Sequence, residues 1–320
     1  MAAGDATGAA TAVSVAIPYY SGRAYLAEAI ASVRSQTRPD WRLIVVDDAG
    51  PEPAEDLVAG FADERISYVR NPYNLGLAGN WNRCLELADT DLVTLLHADD
   101  RLAPGYLTAV TDAAAAHPAA AAALTDGSVI GPSGKRIRSL PDQVKRLARR
   151  PRHDHVVVGD ADLAAILANN YVFCPTLCYR RSVVGDAPFD GRWRMVMDLD
   201  LVARLLLRGD HLVAVRAPLY EYRRHGGNQT SALTASAVRF EEELALYREL
   251  ATTAMSRGWE RSARAARRRS MVRAHLALQT LLDLGRFRVR ATRSKARLLT
   301  DDLRHRSPRA RPAATGDPNS

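Results

Sequence analysis

The stretch DLVTLLHADDRL, residues 91–102, joins a strand pattern to two adjacent carboxylates. Five apolar or hydroxyl side chains from Leu92 to Leu96 indicate a short strand that is buried on both faces. Asp99 and Asp100 follow this strand directly. Neighbouring like charges are costly unless water, a cation or a binding partner stabilises them. The stretch therefore predicts either a solvated turn or a site that receives a positive group.

Strand patterns alternate with helix patterns on the amino-terminal side of this stretch. The earlier strands are predicted at VSVAIPYY (13–20), WRLIVVDD (41–48) and RISYV (65–69), with helix patterns between them. This alternation is typical of an α/β fold with a parallel sheet and right-handed crossovers. Ligands of such sheets bind at the carboxyl ends of the strands.

Two acidic pairs end strands of this predicted sheet. Asp47 and Asp48 end the second strand, and Asp99 and Asp100 end the fourth. Paired carboxylates with an open side suit Mg²⁺ or Mn²⁺, which complete their shells with water and diphosphate oxygens. The alternative interpretation of Asp99-Asp100 is a turn or a helix N-cap, and Pro104 supports a helix start nearby.

The basic residues are concentrated near the carboxyl end. The formal charge is +8, but residues 257–311 hold 17 Lys and Arg against 4 Asp and Glu, which leaves 27 basic and 32 acidic residues elsewhere. The chain is thus a slightly acidic body with a basic extension. Three interpretations of that extension stay open: a solvated helix face, a contact with anionic lipid, and a nucleic-acid patch. Leu276, Leu278, Leu281 and Leu282 would form one apolar helix face.

Several classes are excluded by missing patterns. The three cysteines, Cys84, Cys174 and Cys178, give neither a disulfide framework nor a zinc site, which favours a buried, reduced, structural role. No G-x-G-x-x-G follows the first strand, and no P-loop motif is present. No segment reaches the roughly 20 apolar residues that span a bilayer. Residues 1–12 lack the pattern of a signal peptide, so a cytoplasmic location is expected.

Six motifs resemble, in order, those of family 2 glycosyltransferases with the GT-A fold. They are VSVAIPYYSG, SVRSQT with WRLIVVDDAG, NPYNLGLAGNWNRCLELA, LHADDRLAP, MDLDLVARL and YRRHGGNQT. The resemblance implies a single GT-A (Rossmann-like) domain over residues 13–237, with a mixed, mostly parallel sheet. Its nucleotide-binding half would be 13–102 and its acceptor half 103–237.

The remaining segments complete the expected organisation. Residues 1–12 would be a disordered leader, 238–305 a basic helical extension and 306–320 a disordered tail. The basic, proline-containing stretch 135–155 is expected to be mobile.

The resemblance also implies the residues that hold the sugar nucleotide. Ten residues are expected to bind the nucleotide: they would contact the base or ribose, form the loop that closes over the nucleotide, or bind its diphosphate. They are Pro18, Tyr19, Asp47, Asp48, Asn74, Gly76, Asn80, His97, Asp99 and Arg224. His97 stands where the family's D-x-D motif begins with an acid. It would either bond the ribose or be an ordinary strand-end histidine, and both interpretations stay open.

Metal and catalytic residues follow from the same resemblance. Asp99, Asp100 and His225 would bind Mg²⁺ or Mn²⁺, and which of the two aspartates is the direct ligand stays open. Asp198 matches the general base, although Met197 replaces the acid that usually precedes it, and an N-cap role is the alternative. Further residues considered were Arg223, as a cation facing the diphosphate, and Trp193, as an acceptor contact or a core residue.

The function implied is inverting transfer of a sugar from a UDP, dTDP or GDP donor to a hydroxyl acceptor, assisted by a divalent metal. The acceptor would be a glycan, a lipid-linked or cell-envelope saccharide, or a small natural product. The alternatives are a sugar-1-phosphate nucleotidyltransferase and a non-catalytic protein that binds lipid or nucleic acid. Expected partners include an anionic membrane surface at the inner face, reached through the basic helices, and a second copy of the chain, but no nucleic acid.

Overall fold

The computed structural model describes residues 12–137, 153–169, 172, 174–185, 188–226 and 233–304. The leader before residue 12, the tail after residue 304 and the stretch 138–152 lie outside them, so the expectations of disorder there stay predictions.

Nine strands of the described residues form one mixed sheet. They are β1 (Val13–Tyr19), β2 (Trp41–Asp47), β3 (Ile66–Arg70), β4 (Leu92–Leu95), β5 (Arg101–Leu102), β6 (Ala122–Ile130), β7 (His155–Val157), β8 (Leu177–Arg180) and β9 (Leu212–Arg223). Their order is β3-β2-β1-β4-β8-β6-β9-β5, and β7 also pairs with β9. Six strands run in one direction and three, namely β5, β7 and β8, run against them. The mixed, mostly parallel sheet expected for the fold is confirmed.

Helices cover both faces of the sheet and form the carboxyl-terminal part of the chain. They are α1 (Arg23–Arg34), α2 (Glu55–Ala59), α3 (Gly76–Leu87), α4 (Tyr106–Ala116), α5 (Gly159–Asn169), α6 (Arg181–Val184), α7 (Met197–Arg208), α8 (Val238–Ser256), α9 (Glu260–Arg268), α10 (Ser270–Gly285) and α11 (Val289–Arg304).

The side chains of β1 show how the sheet divides the core. Val13, Val15 and Ile17 are buried in one apolar cluster with α1, α2 and α4, whereas Ala16 lies in a second cluster with α3, α5 and α7. Alternation with period two places neighbouring residues of a strand on opposite faces. Because the apolar β1 side chains enter one core or the other, an apolar run is what this central strand requires.

The last strand is longer than the sequence pattern suggested. HLVAV (211–215) and PLYEY (218–222) read as two short strands, but β9 runs from Leu212 to Arg223 without a break. Its pairing with β6 shifts in register on either side of Asp126, which lies opposite Pro218. A bulge accommodates the missing N–H of a proline, so the strand can continue through it.

The carboxyl-terminal helices begin by packing on the sheet domain. Phe240, Leu244 and Tyr247 of α8 are buried in the same cluster as α5 and α7, and the Tyr247 hydroxyl donates to the Leu167 carbonyl oxygen over 2.9 Å. The helical extension expected from the sequence is therefore present. Across the described residues, none of the helices is both long enough and apolar enough to span a membrane.

Candidate functional site

Asp47 fixes the turn at the carboxyl end of β2. It is fully buried, and its carboxylate accepts hydrogen bonds from the Gly50 N–H, the Tyr68 hydroxyl and the Arg70 guanidinium. Gly50 must be glycine, because a Cβ there would lie 1.7 Å from the carbonyl oxygen of Tyr20. The turns after β1 and β2 thus pack closely against each other. We call the surface that they form, at the carboxyl edge of the sheet, the floor.

Asp48 holds the next loop onto this floor. Its Oδ1 accepts hydrogen bonds from the Asn71 amide at 3.1 Å and the Leu75 N–H at 2.7 Å. The Asn80 amide donates to the Val46 carbonyl oxygen at 3.1 Å. Assigning Asn80 to a nucleotide-closing loop was wrong, because α3 starts at Gly76 and buries Asn80 beneath β2.

Asn74 and Gly76 lie exposed on the rim of the same edge. The Gly76 N–H donates to Asn74 Oδ1 over 2.7 Å, so Asn74 ends the loop and orders the first turn of α3. Gly76 belongs to the helix rather than to a loop, in contrast to the expectation from sequence.

Pro18 and Tyr19 end β1 beside this floor. Tyr19 is buried, and its hydroxyl donates to the Glu52 carbonyl oxygen at 2.7 Å. Burial, with the charges of Glu52 and Asp47, raises the pKa of Tyr19 to about 12. Pro18 lies beyond Ala16, where pairing with β4 stops, so its missing N–H interrupts no ladder.

Asp99 and Asp100 differ sharply in environment. Asp100 is fully buried, and it accepts hydrogen bonds from the Arg223 N–H at 2.7 Å and the Tyr220 hydroxyl at 2.8 Å. Asp99 has a side chain that is 27% exposed, and its Oδ2 lies 3.0 Å from Nε2 of His225. Asp100 therefore ties β9 to the end of β4, and Asp99 is the carboxylate that faces outward.

His97 joins these residues in a group that fits a cation. Ligand atoms of His97, Asp99 and Asp100 all lie within 4.8 Å of one another, and His225 contacts Asp99. Carboxylate oxygens with imidazole nitrogens form a donor set suited to Mn²⁺ more than to Mg²⁺, which prefers oxygen alone. The resemblance predicts His97 beside the ribose or as an ordinary strand-end residue, and the structure adds it to the residues that could hold a metal.

The pKa of His97 depends on residues from distant parts of the chain. Its ring packs on Trp81 with centroids 5.2 Å apart. Burial lowers the pKa of His97, but the hydrogen bond to Asp100 and the charges of Asp100, Asp99 and Asp198 outweigh burial and raise it. Asp198 comes from a helix far along the chain, and its charge acts on His97.

Asp198 lies in the first turn of α7 and is partly buried. Its Oδ1 accepts the N–H of Leu199 at 2.7 Å. The N-cap interpretation was wrong, because Val196 holds that position and α7 begins at Met197. Asp200, two residues on, is buried and pairs with Arg204 at 2.7 Å, so it faces away from Asp198.

Trp193 belongs to the core. Its side chain is buried in the cluster with α7, and the Arg192 guanidinium stacks on its ring at 4.4 Å. Of its two interpretations, the core residue is therefore the one that the structure supports.

Arg223 was expected to face a diphosphate, and this was wrong. Its side chain is fully buried, and its guanidinium donates to the Asp99 carbonyl oxygen at 2.7 Å, to that of Pro132 at 3.0 Å and to Glu28 at 2.6 Å. The guanidinium also stacks on Tyr25 at 4.5 Å. Because every direction is occupied by protein, Arg223 shapes the site rather than binding a ligand.

Sequence reasoning missed the part that α1 plays here. Tyr25 and Glu28 lie three apart on one face of α1, where Tyr25 packs on the His225 ring at 5.0 Å and Glu28 pairs with Arg223. Only the helical spacing of Tyr25 and Glu28 could have indicated that both lie beside the site. Arg224, next to Arg223, donates its backbone N–H to Ile130 and leaves its side chain partly exposed at the edge.

The mixed sheet, with an acidic group at its carboxyl edge, is similar to the GT-A fold. The crystal structure of S. aureus TarS 1–349 in complex with UDP-GlcNAc matches this fold with a TM-score of 0.61, at 16% identity and over 92% of each chain. Residues 14–165 match the family described as "Glycosyl transferase family 2". Residues 14–165 are therefore similar to family 2 glycosyltransferases, and this similarity covers just under half of the chain.

Curated relatives share shorter segments with this chain. The succinoglycan biosynthesis protein ExoW of Rhizobium meliloti (strain 1021) is 41% identical over 101 residues, which cover 30% of this chain and 31% of the relative. The UDP-Glc:alpha-D-GlcNAc-diphosphoundecaprenol beta-1,3-glucosyltransferase WfgD of Escherichia coli is 34% identical over 88 residues, which cover 28% of this chain and 35% of the relative. The chain spans about a third of the length of these relatives.

Proposed function

We propose that this protein transfers a sugar, with inversion, from a nucleoside diphosphate sugar to an acceptor hydroxyl in the synthesis of a cell-envelope or other polysaccharide. The observation that carries the proposal is the group of His97, Asp99 and Asp100, whose ligand atoms lie within 4.8 Å of one another, with the outward-facing Asp99 carboxylate in contact with His225. Support for the polysaccharide comes from the relatives, which include a succinoglycan biosynthesis protein and a glucosyltransferase named for a diphosphoundecaprenol-linked substrate.

Each residue would have a separate task. Asp198 would accept the proton of the acceptor hydroxyl as that oxygen attacks the anomeric carbon, while the bond to the nucleoside diphosphate breaks. Asp99, His97 and His225 would hold a divalent cation, and when bound it would supply charge neutralisation for the departing diphosphate. The partly exposed side chain of Arg224 would add positive charge on the same side.

The donor base and ribose would lie on the floor between β1 and β2. Pro18 and the rim residue Asn74 are the positions with accessible surface there, whereas Asp47 and Asp48 shape the floor from beneath through their internal hydrogen bonds. A UDP, dTDP or GDP donor is proposed on this basis. The enzyme would act at the inner face of a membrane, where a lipid-linked acceptor is available.

The first test is replacement of the proposed base. Asp198→Asn should lower turnover by about 10²–10⁴-fold, which is the usual contribution of a general base, while donor binding persists. Asp112→Asn, a change at an exposed carboxylate of α4, is the matched control and should leave turnover unchanged. Normal turnover of the Asp198 variant would remove this residue from the mechanism.

The second test addresses the donor and the reaction class. UDP-, dTDP- and GDP-sugars, each with and without Mn²⁺, are added while the thermal midpoint of the protein is measured. A donor at a hundred times its Kd should stabilise the fold by about 2.7 kcal/mol. Product analysis should find free nucleoside diphosphate. Release of pyrophosphate from a nucleoside triphosphate would instead identify a sugar-1-phosphate nucleotidyltransferase.

A further inference from the structure

The turn between α10 and α11 exposes apolar and basic residues together. We call residues 281–290 the hairpin tip. Leu281, Leu284 and Val289 have more than half of their surface exposed, and Phe287 is 89% exposed. Large apolar side chains clustered in this way mark an interaction site more often than chance exposure does.

Phe287 holds a backbone conformation that favours glycine. It follows α10 with φ +57°, its N–H donates to the Leu284 carbonyl oxygen, and the Arg288 N–H donates to that of Asp283. Glycine is the usual residue at such a helix end, because other side chains are strained there. A strained aromatic residue that contributes nothing to the core points to a contact outside the chain.

Buried ion pairs hold the tip in place. Lys295 of α11 donates to Asp283 of α10 over 2.6 Å, with both side chains buried. At the other end of the hairpin, Asp302 is fully buried and accepts hydrogen bonds from Arg248, Arg269 and Arg273. The two helices are thus fixed to each other and to α8, so the tip is presented on a rigid support.

The charge around the tip is mainly positive. Residues 284–297 include six Lys and Arg and no Asp or Glu. Beside the tip, a groove between α8 and α11 is lined by three arginines with the acidic residues Glu241 and Asp301; the arginines are Arg290, Arg293 and Arg297. Arginines flanking an apolar wedge match an interface where phosphate groups lie above acyl chains.

We propose that the hairpin tip inserts into an anionic membrane surface, with Phe287, Leu284 and Leu281 among the acyl chains and the neighbouring arginines on the lipid phosphates. This inference rests on the membrane location proposed above and names the surface responsible for it. A second copy of the chain fits less well, because a symmetric contact would bring the same arginines face to face. Nucleic acid would pair with the arginines but would leave the leucines exposed.

The experiment measures flotation of the full chain with vesicles of phosphatidylcholine alone or mixed with phosphatidylglycerol. Binding is expected only with the anionic lipid, and it should weaken as salt is raised. Phe287→Gly should greatly reduce binding while keeping or raising the thermal midpoint, because the strain at this position is relieved. Loss of binding through misfolding is thereby separated from loss of the contact.

Variants that each remove one positive charge test the contribution of the arginines to vesicle binding. Arg286→Gln and Arg290→Gln should each weaken binding by about fivefold, the effect of roughly 1 kcal/mol for each basic residue near the surface. Arg264→Gln on α9, which is equally exposed, is the matched control and should bind normally.

Three results would overturn the inference in different ways. Vesicle binding that survives Phe287→Gly and both tip charge variants would place the membrane contact elsewhere. Absence of binding, together with a dimer that Phe287→Gly dissociates, would make the tip a protein interface. Binding to single-stranded or duplex DNA in preference to vesicles would make it a nucleic-acid site. None depends on sugar transfer, and Asp198→Asn should float like the unaltered protein, so failure here is distinct from failure of the proposed reaction.

Discussion

Two buried aspartates at the sheet edge, Asp48 and Asp100, are stabilised differently from those in the carboxyl-terminal helices. At the edge, Asp48 accepts bonds from an amide and a backbone N–H, and Asp100 from a backbone N–H and a tyrosine hydroxyl. In the helices, Asp283 faces Lys295, and Asp302 faces three arginines.

The two kinds of partner imply two roles: some carboxylates keep their charge available for a ligand, and others use it to hold helices together. Neutral donors stabilise a carboxylate without cancelling its charge, so Asp48 and Asp100 leave negative charge near the proposed cation site, whereas Asp47 pairs with Arg70. Ammonium and guanidinium groups cancel the charge, so Asp283 and Asp302 join helices and leave the surrounding surface positive. Four predictions test this contrast.

The largest effect on stability is expected at Asp302. Asp302→Asn would leave the buried guanidinium of Arg269 without its counter-charge, and breaking such a buried pair costs about 3–5 kcal/mol. Chemical denaturation measures the change. The neighbouring variant Asp301→Asn is the matched control, since Asp301 is exposed and should change stability by less than about 0.5 kcal/mol. Equal midpoints for the two variants would contradict the architectural role.

Acid should weaken the same cluster progressively. Burial raises the pKa of Asp302, but the hydrogen bond from Arg273 and the charges of Arg269 and Arg273 outweigh burial and hold the pKa below its ordinary 3.8. A pKa lowered by folding means that Asp302 contributes its full stability above the unfolded value and loses it as pH falls toward the folded value. Hydrogen exchange of α10 and α11 should accelerate below pH 3.8, and Asp302→Asn should lack this component.

Asp100→Asn should cost less than Asp302→Asn, although both aspartates are fully buried. The hydrogen bonds to Asp100 come from a backbone N–H and a hydroxyl, and its ion pair with His97 is long at 3.5 Å, so the variant leaves an imperfectly paired group rather than an isolated charge, at about 1–3 kcal/mol. It should also reduce the thermal stabilisation by Mn²⁺. The same denaturation series gives the comparison, and a loss as large as that of Asp302→Asn would show that the edge is also built on charge cancellation.

The smallest effect is expected when a whole ion pair is replaced. Lys295→Met alone leaves Asp283 buried without its main partner and should be strongly destabilising. Adding Asp283→Leu should restore stability to within about 1 kcal/mol of the unaltered protein, since apolar replacements of buried pairs are often neutral. A double variant no more stable than the single one would mean that the charges themselves are required.

The fold could be predicted from local patterns. Apolar runs such as LVTLL (92–96) between helix patterns specify parallel strands, and topology then brings both acidic pairs to one edge. These inferences succeed because strand burial and the carboxyl-edge rule depend on short sequence windows. The Asn- and Gly-rich segment 71–80 misled for the same reason: its composition indicates a loop, but contacts with β2 let α3 begin at Gly76.

The sequence could not predict which residues of the site face a ligand and which are buried in support. Asp99 and Asp100 are identical in type and adjacent, yet one faces outward and the other is held beneath by Tyr220, more than a hundred residues away. The same distance hides the burial of Arg223, whose side chain is satisfied by α1 and by the turn after β6. Only tertiary contacts decide which of several similar residues is left for a ligand.

The close approach of Gly50 to Tyr20 bears on how such a site can diverge. Because no side chain fits between the two backbones, the floor of the edge tolerates few substitutions unless both turns move together. The rim around Asn74 is exposed and has no such restriction. We therefore expect new donor preferences to arise by changes at the rim, above a floor that stays almost constant.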